Sequence, residues 1–399
     1  MNITIHPKKL NGTINVIASK SCLHRAIIAA SLANGKSVIE NVLYSKDVEA
    51  TIGACTKLGA TILNEKDKLI IHGCDSILKN QNIDCIESGS TLRFMIPIFH
   101  SQLNQTNFTG AKSLFNRPLD VYFDIFDEQN IKYEFTDSLE INGVIKSGIF
   151  EIDGKISSQF ITGLMYTLPL LDGDSKIVVK NDLESKGYID LTIDILMKFN
   201  IKVINNNYKE FIIKGNQKFI STNYIAESDY SQASFFLVAN ELGNRIEIKN
   251  LNYNSLQPDK KIINDIECIM NNKDVDLSQN PDCGPILSIL ALLHNTQFIN
   301  AKRLRIKESD RITSMVTNLN KLGANLIECE EGINFTKVNN LDGDVEVDCF
   351  NDHRVCMALA IASTICNKKI KLIGAQCVDK SYPNFWDDFK KLGGVFDVE

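Results

Sequence analysis

A short motif recurs along the chain and limits what it can fold into. It reads Lys57-Leu-Gly-Ala-Thr-Ile62, Lys321-Leu-Gly-Ala-Asn-Leu326 and Lys391-Leu-Gly-Gly-Val-Phe396. Weaker copies are Asp127-Glu-Gln-Asn-Ile-Lys-Tyr133, Lys198-Phe-Asn-Ile-Lys-Val203 and Met270-Asn-Asn-Lys-Asp-Val275. Gly or Asn stands where a helix needs a left-handed cap, and β-branched residues follow. Each copy therefore predicts a helix end, a tight turn and a strand. The six copies lie about 50 to 70 residues apart, too far for most solenoids but right for a small αβ subdomain. The expectation is an α/β protein of six similar units, grouped three and three.

A second pattern lies at the opposite ends of the helices, where apolar runs begin in dense polar clusters. Four are Ala18-Ser-Lys-Ser-Cys-Leu-His-Arg25, Glu87-Ser-Gly-Ser-Thr-Leu-Arg93, Ser157-Ser-Gln-Phe-Ile-Thr162 and Glu184-Ser-Lys-Gly-Tyr-Ile-Asp190. The second half adds Glu227-Ser-Asp-Tyr-Ser-Gln232, Asn280-Pro-Asp-Cys-Gly-Pro285, Lys307-Glu-Ser-Asp-Arg311 and Asn351-Asp-His-Arg354. Caps alone explain Ser, Asn and Asp at such positions, at roughly 1 kcal/mol each. They do not explain Lys20, Arg25, Arg93, Arg311 and Arg354, because the helix dipole disfavours cations there. Free backbone N–H groups beside a guanidinium make an anion site, and glycine at 89 lets backbone approach a ligand. Ser21 and Arg25 are four apart, and Glu308 and Arg311 three apart, so each pair shares a helix face. The competing reading of the latter pair is a surface salt bridge of small energy.

The net charge of −6 and the lack of a basic, aromatic-rich run argue against nucleic acid as a partner. No apolar stretch approaches a membrane span, and no signal-peptide pattern opens the chain, so the expectation is a cytoplasmic protein. The eleven cysteines are scattered without a C-x-x-C pair, which suggests reduced, buried thiols and no metal. Walker A, G-x-G-x-x-G and H-E-x-x-H runs are missing. His6, His24, His72, His100 and His294 show no evident partners, whereas His353, between Asp352 and Arg354, is read as a supporting site residue.

These residues resemble the EPSP synthase family of enolpyruvyl transferases. Ala18 to Arg25 is similar to its S-K-S-x-x-x-R signature, and Gly110-Ala-Lys-Ser-Leu-Phe-Asn-Arg-Pro118 to its T-G-x-x-x-x-x-R-P segment. Ser157-Ser-Gln159, Lys307 to Arg311, Asn351 to Arg354 and Asp379-Lys-Ser-Tyr-Pro383 follow in family order, from residue 18 to 383. The resemblance implies a two-domain inside-out αβ barrel with three βαβαββ-type repeats per domain. It places one domain at 20–224, the other at 1–19 plus 225–399, and the active site in the cleft between them.

It further implies a monomer that joins phosphoenolpyruvate to the 5-hydroxyl of shikimate 3-phosphate without a cofactor. Lys20, Ser21, Arg25, Ser157, Ser158, Gln159, Ser185, Tyr188, Asp282 and Lys307 would meet shikimate 3-phosphate. Lys20, Gly89, Arg117, Gln159, Arg311, Arg354 and Lys380 would meet phosphoenolpyruvate. Asp282 is the candidate base for the hydroxyl, and Glu308, with Lys20, the candidate for proton exchange at the methylene. Glu87 departs from the family's G-N-A/S-G-T loop, while Gly89 resembles the glyphosate-sensitive pattern. The rivals are the sister transferase acting on UDP-N-acetylglucosamine, a non-catalytic anion-binding scaffold, and an RNA-end-processing enzyme. The 110–118 loop lacks the cysteine usual in the sister enzyme.

Overall fold

The computed structural model describes residues 1–399. The chain divides into two compact units, Met1–Ile17 with Ser228–Glu399, and Ala18–Glu227. Each has its own hydrophobic core.

The recurring motif sets the turns. Helix Lys46–Leu58 ends at Gly59 with φ 122°, Arg311–Lys321 is followed by Gly323 at 92°, and Phe385–Lys391 by Gly393 at 91°. In the weaker copies Asn130, Asn200 and Asn272 take the left-handed position at 56°, 68° and 53°. Asn tolerates that conformation because its short side chain bonds locally.

Five four-stranded sheets share one connectivity. In the unit 81–143, Gln81–Asp84 pairs parallel with Asn104–Thr109, which pairs antiparallel with Leu139–Gly143, and Lys132–Phe135 takes the edge. The same order recurs in Ile149–Asp153, Ser175–Lys180, Glu210–Ile213 and Val203–Asn206. Two sheets are completed by strands distant in sequence. Asn223–Ile225 pairs with Lys36–Glu40, and Ile3–His6 lies between Ile370–Ile373 and Val395–Val398.

The sixth repeat is shorter than the others. Asn11–Asn15 and Arg245–Lys249 form a two-stranded parallel sheet, followed by helix Ile262–Met270 but by no hairpin of its own. The strand after Met270 is Val275–Asp276, and it opens the next sheet by pairing parallel with Gln297–Ile299. The weak motif at 270 thus marks a helix end and a turn, but its strand belongs to the following repeat.

Two kinds of helix alternate. Gly89–Phe99, Ser158–Thr167, Gly284–Ala291 and His353–Ala362 are buried almost all round, as a helix apolar on every face must be. Lys46–Leu58 and Lys186–Lys198 keep an exposed face. Helices Tyr230–Glu241, Gly284–Ala291 and His353–Ala362 pack on one another, with the sheets outside them. Each unit is therefore built with helices inside and strands outside. Several polar clusters open these inner helices, whose other residues are apolar and committed to the core, while those at 184–190 and 307–311 open Lys186–Lys198 and Arg311–Lys321. No helix is long and apolar enough to cross a membrane.

Candidate active site

In the unit that carries both termini, one buried arginine organises the polar residues. Arg311, the first residue of its helix, is 1% exposed. Its Nη1 donates to Asp282 at 2.8 Å and its Nη2 to Glu308 at 2.8 Å. Nε and Nη2 donate to Asp352 at 2.7 and 3.2 Å. Asp352 is fully buried, caps helix His353–Ala362 and also accepts from Ser309. Lys307 lies 3.1 Å from Asp282, Lys380 3.6 Å from Glu308, and Arg354 Nη2 3.9 Å from Asp282. Six of the expected site residues, Asp282, Lys307, Glu308, Arg311, Arg354 and Lys380, thus form one network. His353 is buried at the first position of its helix.

The electrostatics follow from this arrangement. Burial works against ionisation of Asp282, but Lys307, Arg354 and Arg311 together hold its carboxyl well below the usual range. Burial would weaken the Arg311 cation, and Asp352, Glu308 and Asp282 more than offset it, so its pKa is raised. Burial pulls the Lys307 ammonium down, against the attraction of Asp282. Asp282 is an anion fixed by cations.

In the unit Ala18–Glu227 the buried arginine at a helix start has neutral partners. Arg25 is 3% exposed. It donates from Nε to Thr192 Oγ1 at 2.8 Å, from Nη1 to the Ser21 carbonyl at 2.9 Å and from Nη2 to the Tyr188 carbonyl at 3.3 Å. Its guanidinium also lies over the rings of Phe94 and Tyr188. Burial lowers its pKa. Lys20 donates to Asp47 at 2.8 Å.

Gln159 joins two helices by accepting from Arg93 Nη1 at 2.7 Å and donating to Ser90 Oγ at 2.9 Å. Close helix approach makes this possible, since a Cβ on Gly163 would lie 2.6 Å from the Arg93 carbonyl. Ser157 caps the helix that carries Ser158 and Gln159. Ser185, buried with φ 56°, precedes helix Lys186–Lys198, which carries Tyr188. A Cβ on Gly89 would stand 2.9 Å from Arg117 Nη1, so glycine there leaves room for that guanidinium. Glu87 is partly buried two residues before it.

Some participants escaped the sequence reading. Asp47, the partner of Lys20, and Thr192, the partner of Arg25, lie 27 and 167 residues away from them. Three histidines read as lacking partners have them. His24 Nδ1 meets Thr51 Oγ1, His100 bonds the Gly143 carbonyl and Thr106, and His6 pairs with Asp397. In each case the fold supplies a partner that local sequence does not contain.

The comparisons with known proteins agree on one family. The model of EPSP synthase (3-phosphoshikimate 1-carboxyvinyltransferase) matches residues 5–389. The chain is 48% identical to the 3-phosphoshikimate 1-carboxyvinyltransferase of Clostridium beijerinckii, over 99% of this chain and 98% of that one. It is 46% identical to the protein of that name from Clostridioides difficile, over 99% and 98%. The fold matches that of EPSP synthase from Acinetobacter baumannii with a TM-score of 0.80 at 21% identity, covering 100% and 99% of the two chains. Matched by the family model over residues 5–389 and by relatives 46–48% identical along nearly its whole length, the chain belongs to the EPSP synthase family.

Proposed function

We infer that the chain transfers the enolpyruvyl group of phosphoenolpyruvate to the 5-hydroxyl of shikimate 3-phosphate and releases inorganic phosphate. The observation that carries this reading is the network of Asp282, Lys307, Glu308, Arg311 and Lys380. Anion binding alone would call for the cations. It would not call for two carboxylates set among them.

The hydroxyl adds to C2 of phosphoenolpyruvate while a proton reaches the methylene carbon, giving a tetrahedral intermediate. Phosphate then leaves as that proton is withdrawn. Asp282 orients the 5-hydroxyl, takes its proton as the C–O bond forms, and returns to its ionised form as that proton leaves with the phosphate. Held in its ionised form, it is a weak base in the free enzyme and gains strength when substrate draws Lys307 away from it. Glu308, between Arg311 and Lys380, exchanges the methylene proton, and Lys20 shares that duty. Arg354, Lys380, Arg117, Gln159 and the backbone at Gly89 hold the phosphoenolpyruvate anion. Arg311 has five N–H donors and uses four on carboxylates, so its contact with this substrate is confined to one Nη1 hydrogen. Ser21, Arg25, Ser157, Ser158, Ser185, Tyr188 and Lys307 hold shikimate 3-phosphate, while His353 supports Arg354. The cations stabilise charge on the departing phosphate.

The domains assigned to this work are the two compact units. A monomer in the cytoplasm completes the reading, supported by eleven free cysteines, which suit a reducing compartment. Elution at the mass of a single chain is the expected result. Glyphosate competing with phosphoenolpyruvate is expected from Gly89, and unchanged turnover at inhibitor levels well above the substrate would contradict it.

The test of the reaction is phosphate release from purified protein given phosphoenolpyruvate with each of two acceptors. Release that requires shikimate 3-phosphate supports the reading. Release with UDP-N-acetylglucosamine instead, or with neither, overturns it.

A further inference from the structure

The eleven cysteines look scattered in sequence, yet the fold gathers three of them. Cys349, Cys356 and Cys377 place their sulfurs within 4.8 Å of one another. Cys349 follows strand Val345–Asp348, Cys356 lies in helix His353–Ala362, and Cys377 in the short helix Ala375–Lys380. All three are unbridged, with exposures of 0%, 0% and 7%. The group contains three thiols and neither an imidazole nor a carboxylate.

We propose that Cys349, Cys356 and Cys377 form a binding site for trivalent arsenic, taken up as arsenous acid. Three soft sulfur donors select a thiophilic centre. Metal–thiolate bonds of roughly 2.3 Å set three sulfurs roughly 4 Å apart, so the observed cluster needs only a small contraction. Charge then discriminates among thiophilic centres. Zinc in a closed site takes four ligands, and zinc or copper(I) on three thiolates leaves a net negative charge in the core, which is costly. Arsenic on three thiolates is neutral and satisfied by three bonds.

The reaction balances without a redox partner. Three As–S bonds form, three As–O bonds break, each thiol proton leaves with a hydroxyl as water, and arsenic stays trivalent. Entry runs through Cys377, the least deeply buried of the three at 7% exposure, on a 3-10 segment whose hydrogen bonds are poorer than those of an α-helix. Occupation ties together the segments that carry Asp352, Arg354 and Lys380, each two or three residues from a ligand.

The site is independent of the reaction proposed above, and so is its test. The full chain is incubated with arsenite under reducing, phosphine-containing buffer and weighed by native mass spectrometry. One adduct equal to an arsenic atom less three hydrogens is expected, retained by Cys268→Ser and lost from Cys377→Ser and Cys356→Ala. Tryptic digestion of the treated wild-type chain gives a reading that needs no variant. Cleavage after Arg354 and Lys371 separates the three cysteines, so an arsenic-bridged set of peptides bearing Cys349, Cys356 and Cys377 is expected. No adduct, an adduct lacking only two hydrogens, or one retained by Cys377→Ser would overturn the proposal.

Discussion

Arg311 and Arg25 are both buried at the starts of helices, at 1% and 3% exposure, but their surroundings differ. Arg311 is gripped by Asp282, Glu308 and Asp352, which raise its pKa against the effect of burial. Arg25 has a hydroxyl, two carbonyls and two ring faces, and burial lowers its pKa. One cation is matched by the protein's own charges. The other is held in place by a hydroxyl, two carbonyls and two rings, with no carboxylate among these partners. The difference suggests a division of labour. On the roles proposed above, the unit with both termini supplies the two carboxylates for proton transfer, Asp282 and Glu308, while both units supply cations and Arg25 serves binding alone.

Removing the central charge in each cluster separates the two designs. Arg311→Met takes the paired cation from fully buried Asp352, while Asp282 keeps Lys307 and Arg354 and Glu308 keeps Lys380, and a loss of about 3–5 kcal/mol is expected. The single tryptophan, Trp386, lies in the same unit, so its fluorescence in a urea titration reports the loss directly. Arg25→Met strands no buried carboxylate and is expected to cost less than half as much by circular dichroism. Equal losses would break the comparison.

Acid provides the next contrast. Burial lowers His24, in the Ala18–Glu227 unit, to about 3, and its Nε2 has no hydrogen-bond partner. Between pH 6.5 and about 3 the unfolded state therefore binds a proton that the folded state does not. Stability falls as pH falls through that window, by about 1.4 kcal/mol per pH unit, or about 2 kcal/mol between pH 6.5 and 5. His24→Gln removes this contribution and leaves that of His100, which burial lowers to about 4 in the same unit. The loss is expected in the circular dichroism of the Ala18–Glu227 unit and not in Trp386 fluorescence. A wild-type slope unchanged by His24→Gln would assign the acid sensitivity elsewhere.

The smallest effect is at Gly89. Gly89→Ala puts a methyl against Arg117 Nη1, the flexible end of a side chain. Alanine is favoured over glycine in a helix, so stability is expected to stay within about 1 kcal/mol of wild type. The phosphoenolpyruvate KM is expected to rise several-fold, with the shikimate 3-phosphate KM unchanged. A change in both would show that Arg117 acts beyond one substrate.

Much of this architecture was legible because its signals are local. A left-handed Gly or Asn after a helix requires nothing distant, so all six turns could be read from sequence. The shortened repeat was harder to see. Its only trace is that the spacing from Met270 to Lys321 is the smallest in the series. Lys307, Glu308 and Arg311 lie on one stretch of chain and could be grouped directly. Asp47, Thr192 and the thiols of Cys349, Cys356 and Cys377 could not, because the fold brings them to their neighbours from separate elements.

The division of labour is tested most directly by steady-state kinetics of Glu308→Gln beside Arg25→Met. Loss of a proton-transfer group should lower kcat by about 100-fold or more with both KM values little changed. Loss of a binding cation should raise the shikimate 3-phosphate KM far more than it lowers kcat. That split is the predicted result. A Glu308→Gln enzyme with near-normal kcat and a raised KM would contradict the account.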